Sequence, residues 1–599
     1  MKNLVNVNNL KNDKEITFAD YIFLRLLDYD VNTVFGLTGG GIMYLIDSIY
    51  RNKDMNFVSV HHETFGGLAA DAYSKVGNKI GVALGTTGPG VTNLFTSVAA
   101  AWQDSSKVLF IGGQVKSSDS SRLNNFSLRQ NGTFEFDAID AFKPITKFSE
   151  IISDPIKGIL QIEDALRSIS ENKPGPAYIE VPLDIQGKKI LIKDIKKIFL
   201  SKIKKISIKK SSTIKLNLKK LDFSDSPLFL VGGGMMKSNF REDFKKFLKK
   251  YSLPYVVTPL ALGFSCAEDK NFLGMLSQRG NRSANIISQQ ANTIFVIGSS
   301  LHQQIVGWDP KMFNPDAKKI WFEIDKNLTD LRSDDLSIDQ IFNLDIDESI
   351  KYLMKDDIDQ KKYKSWISYY RKIKSRFLNH KIESSELDLY QAIDVLNEHI
   401  DKFSCISTDA GQPWYIVPQA FRLKEKNTFI SSGSFGSMGM TIPYMIGSGQ
   451  INLKQTVLGI IGDGSLMMCL SELSTLKTYL PNFLLVIVNN NGYRSIRGTH
   501  KKFFEGRIIG TDQSNGVFIP NYEKISNSFE LPYVGVRELG DLKKILKNFE
   551  KGQLIIELFT TQDQQIEPIV ISRMDDQGNF INTSLDDMFP YVEYEQYKS

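Results

Sequence analysis

The stretch that most constrains the fold of this chain is residues 456–492, which read TVLGIIGDGSLMMCLSELSTLKTYLPNFLLVIVNNNG. Its two apolar runs, VLGII and FLLVIV, each predict a buried strand, and the segment from Ser465 to about Tyr479 predicts a helix between them. A parallel βαβ crossover brings the carboxyl ends of both strands to one edge of the sheet. We therefore expect Asp463 and Asn490 to meet at the edge where open α/β sheets bind ligands.

These residue types suit a magnesium ion. The carboxylate of Asp463, the amide oxygen of Asn490 and the backbone carbonyl of Gly492 are three hard oxygen donors, and water and phosphate oxygens would complete an octahedron around Mg²⁺. Gly462 and Gly464 let the backbone approach a diphosphate closely. The alternative is an ordinary βαβ turn with a surface aspartate, but the NNNG sequence lies at crossover distance from the GDG sequence.

Length, charge and composition predict a multidomain globular protein and argue against a nucleic-acid-binding or membrane protein. A chain of 599 residues predicts about three or four domains. The net charge of +5 is small for this length, so nucleic-acid binding is not indicated. The chain has no apolar run of transmembrane length and no signal-peptide pattern, so we expect a cytoplasmic protein without a membrane partner. Cys266, Cys405 and Cys469 have no CxxC spacing and are expected to be reduced, buried thiols.

Strands alternate with helices in three successive blocks, which predicts parallel sheets with helices on both faces. The predicted fold class is α/β, with three doubly wound parallel-sheet domains. Their predicted bounds are 1–187, 227–345 and 386–599, with a linker at 188–226 and a helical connector at 346–385.

The predicted linker is rich in Lys and Ile, with the sequence KKILIKDIKKIFLSKIKKISIKK. A basic amphipathic segment on a membrane surface is one interpretation. A solvated connector between domains is favoured, and the β-branched content argues against a long stable helix.

The GDG and NNNG pair is the motif of thiamine diphosphate (ThDP) enzymes, and the chain resembles this family from about Thr17 to Ile571. Within the family it resembles the acetohydroxyacid (acetolactate) synthase group. The resemblance implies a pyrimidine-binding domain, a central domain and a diphosphate-binding domain, in that order. It also implies ThDP and Mg²⁺ as cofactors, and a homodimer or homotetramer with active sites at the subunit interface. Asp463, Asn490 and the Gly492 carbonyl are then the metal ligands.

Glu63 is the catalytic residue that the resemblance implies. It follows His61 and His62 at a predicted strand end, where a glutamate is by itself only a favourable charge near a helix dipole. The family has a glutamate of this kind before a GPG-x-TN motif, here residues 88–93, and this glutamate exchanges a proton with the cofactor ring. The ThDP-binding residues implied in the same way are Gly88, Asn93, Gly411, Gln412, Gly436, Met438, Gly462, Gly464 and Ser465.

The central domain of acetohydroxyacid synthases holds FAD, and residues 274–285, GMLSQRGNRSAN, look like their flavin-contacting loop. The resemblance implies FAD contacts from four residues, Gly233, Gly234, Arg279 and Gly280. Two positions depart from the family, because Lys143 and Ser300 align where arginine is usual, and lysine lacks the planar fork of arginine. A structural domain without flavin is the alternative.

The implied reaction is decarboxylation of pyruvate followed by carboligation of the two-carbon unit to a second carbonyl. Thr499 aligns where biosynthetic members carry a tryptophan that favours 2-oxobutyrate, and residues 127–147 resemble synthase homologues of surface-sugar pathways. The runner-up is transfer of the acetyl unit to a nucleotide-linked 4-keto sugar, for which Arg494, Arg497, His500, Lys501 and Lys502 would supply donors unless they form a solvated basic face.

A catalytically silent nucleotide-binding regulator is the non-enzyme alternative, and Glu63, Asp463 and Asn490 argue against it. The late segment 588–591 is expected to dock over the active site.

Overall fold

The computed structural model describes residues 2, 4–209, 225–355, 357–378, 386–574, 577 and 580–593. Three six-stranded parallel sheets form its framework. The first sheet contains β1 Thr33–Gly36, β2 Asn56–Ser59, β3 Gly81–Gly85, β4 Val108–Gln114, β5 Ser149–Ile151 and β6 Ala177–Pro182. The second contains β7 Pro227–Val231, β8 Tyr255–Val257, β9 Phe272–Met275, β10 Thr293–Ile297, β11 Lys318–Phe322 and β12 Gln340–Phe342. The third contains β13 Phe403–Thr408, β14 Thr428–Ser431, β15 Thr456–Gly462, β16 Phe483–Asn489, β17 Tyr533–Val536 and β18 Gln553–Phe559.

The first and third sheets have the same strand order. The first runs β2-β1-β3-β4-β6-β5, the third runs β14-β13-β15-β16-β18-β17, and the second runs β9-β8-β7-β10-β11-β12. Central strands such as β4 and β7 are buried along their whole length, as expected when helices cover both faces of a parallel sheet. The three sheets confirm the predicted α/β class with three doubly wound domains.

Helices connect the strands of each sheet. Those of eight or more residues are α1 Phe18–Leu27, α2 Met43–Arg51, α3 Glu63–Gly77, α4 Phe95–Gln103, α5 Pro155–Ser168, α6 Ile192–Lys209, α7 Arg241–Lys250, α8 Arg282–Gln290, α9 Ile346–Leu353, α10 Lys364–Phe377, α11 Leu389–Glu398, α12 Gln412–Ala420, α13 Thr441–Gly449, α14 Glu472–Tyr479, α15 Arg494–Phe503 and α16 Leu539–Asn548. Shorter helices include Pro89–Thr92, Asp463–Leu466, Lys326–Arg332 and Tyr522–Ser528.

Short antiparallel pairs complete the described strands. Glu15–Thr17 pairs with Lys189–Leu191, Ile569–Val570 pairs with Met588–Phe589, and Arg573–Met574 pairs with Phe580–Ile581.

The expectation that residues 188–226 contain no long helix is wrong, because α6 extends over Ile192–Lys209. Ile192, Ile195 and Phe199 are buried in the same apolar core as α1 and the first sheet. Their spacing of three and four residues places them on one helix face, so burial of that face outweighs the low helix propensity of isoleucine. Residues 192–199 are therefore neither a solvated connector nor a membrane-surface segment, and residues 210–224 lie outside the described residues.

The single helix predicted from Ser465 to Tyr479 is also wrong, because the structure has the short helix Asp463–Leu466 and then α14, which starts only at Glu472. The backbone N–H of Met468 donates to the carbonyl of Ser465, a contact three residues apart that tightens and ends the first helix. The Ser465 hydroxyl donates to Asp409 at 2.8 Å instead of capping a longer helix.

The connector at 346–385 is helical where it is described, and it packs on the central domain. The side chains of Trp366 and Tyr370 in α10 are buried in the same core as β7, and the Trp366 indole N–H donates to the Pro227 carbonyl at 3.0 Å. Residue 356 and residues 379–385 of the predicted connector lie outside the described residues.

The chain divides into two compact units. The first consists of the described part of Met1–Leu218 with Ser432–Lys454 and Cys469–Pro481. The second consists of the described parts of Lys219–Ser431, Gln455–Met468 and Asn482–Ser599. Within the described residues, none of the helices combines the length and the apolar character needed to cross a bilayer.

Candidate active site

Strand order reverses at the centre of the third sheet. The chain leaves β13 towards β14 on one side and then places β15 on the other side of β13. Open α/β sheets bind ligands outside the carboxyl ends of the strands at such a reversal. Asp409 follows β13, Asp463 follows β15, and Asn490 follows the adjacent strand β16. The structure therefore brings the residues predicted for the metal to the predicted edge.

Asp463 is a buried carboxylate held by backbone groups. Its side chain accepts from the Gly464 N–H at 2.7 Å and from the Gly492 N–H at 2.8 Å, and the residue is 1% exposed. The Tyr522 hydroxyl donates to its backbone carbonyl at 2.6 Å. Burial raises the pKa of Asp463 to about 6, although these two N–H groups favour the ionised form. A bound cation would stabilise the same ionised form.

Asn490 presents an oxygen that has no protein partner. Its Nδ2 donates to Gln412 Oε1 at 2.8 Å, which fixes the orientation of the amide. Its Oδ1 is buried, and none of the described residues donates a hydrogen bond to it. Buried polar atoms are normally bonded, so an unpaired oxygen beside a buried carboxylate calls for a missing cation or donor.

Gly492 has a φ of +110°, and a Cβ there would lie 2.1 Å from the Thr511 carbonyl oxygen. This conformation directs its N–H to Asp463, while its carbonyl accepts from the Arg494 N–H at 3.0 Å. A carbonyl oxygen has two lone pairs, so one remains for a metal. Asp463, Asn490 and Gly492 together fit the hard oxygen ligands that Mg²⁺ prefers.

Open space lies in front of two of the glycines predicted to contact the cofactor in the second unit. A Cβ at Gly462 would meet no atom within 4 Å, and one at Gly411, which has a φ of +86°, would meet only Pro413 at 3.8 Å. A Cβ at Gly464 would lie 2.3 Å from the Tyr493 ring, so that glycine is needed for packing. Gln412 contacts Asn490 and the Gln564 carbonyl rather than open space.

Glu63 lies at the first turn of α3, at the carboxyl edge of the first sheet. It is 4% exposed, and Asn93 Nδ2 donates to its Oε2 at 2.9 Å. Its Oε1 lies 3.1 Å from the position that a Cβ of Gly90 would take. The structure thus brings the glutamate and the asparagine of the GPG-x-TN motif into contact. Gly88 faces protein instead, because its Cβ would lie 2.6 Å from the Phe134 carbonyl oxygen.

Gly436 and Met438 belong to the same compact unit as Glu63. Gly436 is exposed, and a Cβ there would meet no atom within 4 Å. The loop before it is fixed by Asp104, whose carboxylate accepts from the Ser434 N–H at 2.9 Å. Met438 is half-buried, so part of its side chain is available for contact with a ligand.

The comparisons with known proteins identify the family. Three family models match the chain, namely the thiamine pyrophosphate enzyme N-terminal TPP binding domain over 16–141, the central domain over 214–338 and the C-terminal TPP binding domain over 409–558. The chain belongs to the thiamine pyrophosphate enzymes.

Its relatives in this family include acetolactate synthases. The acetolactate synthase large subunit of Lactococcus lactis is 25% identical over 94% of this chain and 96% of that protein. The isozyme 1 large subunit of Escherichia coli is 25% identical over 93% of this chain and 96% of that protein. The probable acetolactate synthase large subunit of Methanococcus aeolicus is 28% identical over 86% of this chain and 87% of that protein. This thiamine pyrophosphate enzyme is therefore similar to acetolactate synthases along most of its length.

Three of the four residues that the resemblance assigns to flavin in the central domain of this thiamine pyrophosphate enzyme are glycines packed against protein. A Cβ at Gly234 would lie 2.9 Å from Gly298, and one at Gly233 would lie 2.9 Å from Leu260. The Arg279 guanidinium stacks 4.1 Å from the centre of the Tyr415 ring. A Cβ at Gly280 would lie 2.2 Å from the Met275 carbonyl oxygen. The Cβ directions of the three glycines therefore point at protein, whereas Arg279 is half-buried and its Nε has no hydrogen-bond partner among the described residues.

Three residues that support the metal loop were missed or misjudged from sequence. Arg497 donates to the carbonyls of Asn491 and Asn490 at 2.6 and 2.7 Å, so it holds the NNNG loop rather than a substrate. Tyr522 lies 59 residues after Asp463 in a helix without any motif, and only the fold brings its hydroxyl to the Asp463 carbonyl. Asp409, which binds Ser465, directly precedes the predicted Gly411–Gln412 loop and was the one with a usable signal.

Proposed function

We propose that this thiamine pyrophosphate enzyme decarboxylates pyruvate with ThDP and Mg²⁺ and joins the two-carbon unit to a second carbonyl compound. The observation that carries the proposal is the buried pair of Asp463 and Asn490, with the unpaired Oδ1 of Asn490, at the strand reversal of the third sheet. Relatives named acetolactate synthase along 86–94% of the chain support the choice of reaction.

The residues on the chain take distinct parts in this reaction. Asp463, Asn490 and the Gly492 carbonyl would hold Mg²⁺, and the space before Gly411 and Gly462 would admit the diphosphate. ThDP, when bound, supplies the carbon nucleophile and the electron sink for decarboxylation.

In this proposal the carboxyl group of Glu63 would exchange a proton with the ring of the bound cofactor. Because Asn93 holds Oε2, the oxygen left for proton exchange is Oε1, which faces Gly90. Positioned proton transfer of this kind contributes roughly 10²–10⁴-fold to a rate. Met438 would contact the cofactor through its exposed part.

The proposal includes a homodimer or homotetramer. Large apolar side chains are exposed beside the candidate loops of each unit: Phe95 at 48% and Phe134 at 69% in the first, and Met468 at 55% and Ile496 at 48% in the second. Interfaces between subunits bury apolar side chains of this kind, so these residues are candidates for the contact between two copies. The family resemblance implies that the partner is a second copy of the chain. The first domain of one subunit would then contact the third domain of another.

The acceptor carbonyl is proposed to be a second 2-oxoacid, with acetolactate as the product from pyruvate alone. The keto-sugar alternative needs cations for a diphosphate. Arg497 is bound to the NNNG carbonyls, and Lys501 pairs with Asp563 at 3.1 Å. Arg494 Nε is 3.9 Å from the same carboxylate and has no hydrogen-bond partner among the described residues. Fewer free donors therefore remain on α15 than the sequence suggested, which favours the small acceptor.

The test is incubation of pure protein with ThDP, Mg²⁺ and pyruvate, with CO₂ release and product mass both measured. We expect CO₂ and acetolactate from the wild type and neither from Glu63→Gln, which retains the shape of the side chain but not its acid. A panel of 2-oxobutyrate and a nucleotide-linked 4-keto sugar follows. This enzyme has Thr499 where the resemblance expects a tryptophan, so it lacks one apolar contact to the extra methylene of 2-oxobutyrate. Such a contact is worth about 1–3 kcal/mol of discrimination between substrates, so we expect no strong preference for 2-oxobutyrate over pyruvate. Absence of CO₂ release with every acceptor would refute the proposed reaction, and efficient branched-sugar formation would favour the alternative.

A further inference from the structure

We propose that the central domain of this enzyme binds no flavin, because described residues of its own C-terminal segment, within 568–574 and 580–593, bond to the stretch Gly274–Asn285 that the resemblance assigns to flavin contact. This inference goes beyond the proposed function, since neither the metal site nor the reaction depends on it. It rests on three sets of contacts within the second unit: the turns after β7 and β10, the loop Gly274–Asn285, and the C-terminal segment that covers this loop.

The glycine turn after β7 packs closely against the turn after β10. In a dinucleotide-binding turn one glycine lets the backbone approach the pyrophosphate, while the others serve the tight turn and close packing. A Cβ at Gly232 would instead lie 2.3 Å from the Gly298 carbonyl oxygen, and one at Gly234 would lie 2.9 Å from the Gly298 Cα. The glycines of the turn after β7 are therefore explained by the close approach of the neighbouring turn after β10.

Arg332, a cation beside the turn after β10, bonds to backbone carbonyls of that turn. Arg332 Nη1 donates to the carbonyls of Ser300 and Leu301 at 2.9 and 2.7 Å, which closes this turn from the side of the helix Lys326–Arg332. Ser300 itself aligns where the family has arginine, so this position supplies no charge for a phosphate.

The loop Gly274–Asn285 directs its donors to the C-terminal segment. Arg282 is 4% exposed, and its two terminal nitrogens donate to the carbonyls of Met588 and Pro590 at 3.1 and 2.6 Å. Asn285 is fully buried, and its Nδ2 donates to the Leu585 carbonyl at 2.8 Å. Arg282 and Asn285 lie in the first turn of α8, and both bind backbone carbonyls of the C-terminal segment. Arg279 of the same stretch does not bond to this segment: it stacks on Tyr415, and its Nε has no hydrogen-bond partner among the described residues.

Backbone carbonyls of the stretch Gly274–Asn285 also accept hydrogen bonds from other parts of the second unit. The carbonyl of Gln278 accepts from the Val570 N–H at 2.8 Å, and the carbonyl of Gly280 accepts from Gln419 Nε2 at 3.0 Å. Gln419 belongs to α12 and also donates to the Pro568 carbonyl at 2.9 Å. The C-terminal segment is thus tied to both sides of the loop rather than lying loosely over it.

Apolar packing holds the segment in place. Val570, Leu585 and Met588 are at most 3% exposed and belong to the same core as β7 and β10. Residues 588–591 are predicted from sequence to dock over the active site, but the carbonyls of Met588 and Pro590 accept from Arg282 of the central domain instead. A flavin that used this loop would have to displace a buried part of the protein and leave the donors of Arg282 and Asn285 to be satisfied again.

The first experiment measures flavin directly and does not need activity. The purified full-length protein is denatured, and the flavin fluorescence of the supernatant is compared with protein concentration; FAD is also titrated into the native protein while ThDP binding is recorded as a control for folding. We expect far less than one flavin per chain and no saturable FAD binding. Stoichiometric flavin, or saturable FAD binding, would overturn the inference whether or not the protein releases CO₂ from pyruvate.

The second experiment tests whether the segment is held where the structure has it. Arg282→Ala removes both contacts to Met588 and Pro590, and Arg371→Ala is the matched control, because Arg371 is an exposed arginine of α10 in the same domain. Limited proteolysis with mass spectrometry should show severalfold faster cleavage after residue 568 in Arg282→Ala and wild-type cleavage in the control. Equal protection of the segment in wild type and Arg282→Ala would contradict its anchoring by Arg282.

Discussion

At the scale of single residues, Asp463 and Asn490 present buried oxygen atoms of the kind that bind a cation. Two backbone N–H groups point at the carboxylate, but burial at 1% exposure raises its pKa to about 6. The neighbouring Asn490 is oriented by Gln412 so that its oxygen remains unpaired. This arrangement makes the metal-ligand prediction specific enough to test with graded variants.

We predict that Asp463→Asn loses Mg²⁺-dependent ThDP binding, while Gln412→Ala weakens it. Loss of a group that only orients a ligand costs roughly 10–100-fold in metal affinity, and loss of the charged ligand itself should cost more. ThDP titration by fluorescence at several Mg²⁺ concentrations measures both. Asp563→Asn, which removes an exposed carboxylate of the same unit, is the control and should bind normally. Unchanged affinity in Asp463→Asn would remove the residue from the metal site.

A second residue-scale prediction concerns Glu180, which lies in β6 and is 1% exposed. Burial raises its pKa to about 7, while the Tyr178 hydroxyl donates to it at 2.8 Å. An acid whose pKa is higher in the folded state stabilises the fold when protonated, and this contribution is lost as pH rises from about 4.5 to above 7. The loss amounts to about 3 kcal/mol, at 1.36 kcal/mol per pKa unit.

Glu180→Gln should therefore be more stable than the wild type at pH 8 and equally stable near pH 5, since glutamine stays neutral at both. Thermal unfolding at the two pH values measures this, with a gain of several degrees expected only at pH 8. Glu150→Gln on the neighbouring strand β5 is the control, because Glu150 is exposed. A variant that is no more stable than wild type at pH 8 would show that Glu180 is not destabilised by its charge.

At the scale of elements, helices α3 and α13 are joined by a buried charge cluster. Lys75 contacts Asp71 and Asp104, each at 2.7 Å, and the Tyr444 hydroxyl of α13 donates to Asp71 at 2.9 Å. Burial lowers the pKa of Lys75, but the two carboxylates outweigh it, so the pKa lies well above its ordinary value. Asp104 also accepts from the Ser434 N–H, which connects the cluster to the loop before Gly436.

We predict that Lys75→Met destabilises the protein by about 3–5 kcal/mol, because it leaves two buried carboxylates without their cation. Adding Asp104→Asn should recover part of the loss, since one of the uncompensated charges is then removed. Denaturant unfolding of both variants measures the effect, and Lys79→Met, an exposed lysine just after the same helix, is the control. If Lys75→Met were as stable as Lys79→Met, the charge cluster would not contribute to the stability of the fold.

Sequence predicted most elements because their apolar runs are periodic and end in glycine turns, as in β15 and β16. It failed where tertiary contacts decide. The helix α6 forms because Phe199 and its neighbours find an apolar core, which local propensity does not report. Asp463, Asn490 and Glu63 were predictable because they follow strands at fixed spacings, whereas the contact of Tyr522 with Asp463 depends on folding alone. The docking of the C-terminal segment on Arg282 was unpredictable for the same reason.

At the scale of the whole molecule, the first and third sheets have the same strand order. In each sheet the candidate residues follow the carboxyl ends of the strands. Glu63 and Asn93 lie after β2 and β3 of the first sheet, and Asp463 and Asn490 lie after β15 and β16 of the third. Under the family resemblance, the glutamate of one subunit serves the metal site of another, so two inactive variants should complement each other.

We predict that co-expression of Glu63→Gln with Asp463→Asn restores activity, although each variant alone is inactive. In a mixed dimer one site would combine both substitutions, while the other would combine wild-type Glu63 with wild-type Asp463. Chains carrying two different affinity tags and purified through both should therefore show about half of wild-type CO₂ release per dimer. Co-expression of two differently tagged Glu63→Gln chains gives the inactive baseline. If both groups of a site came from one chain, every site of the mixed dimer would contain a substitution, and activity would stay at that baseline.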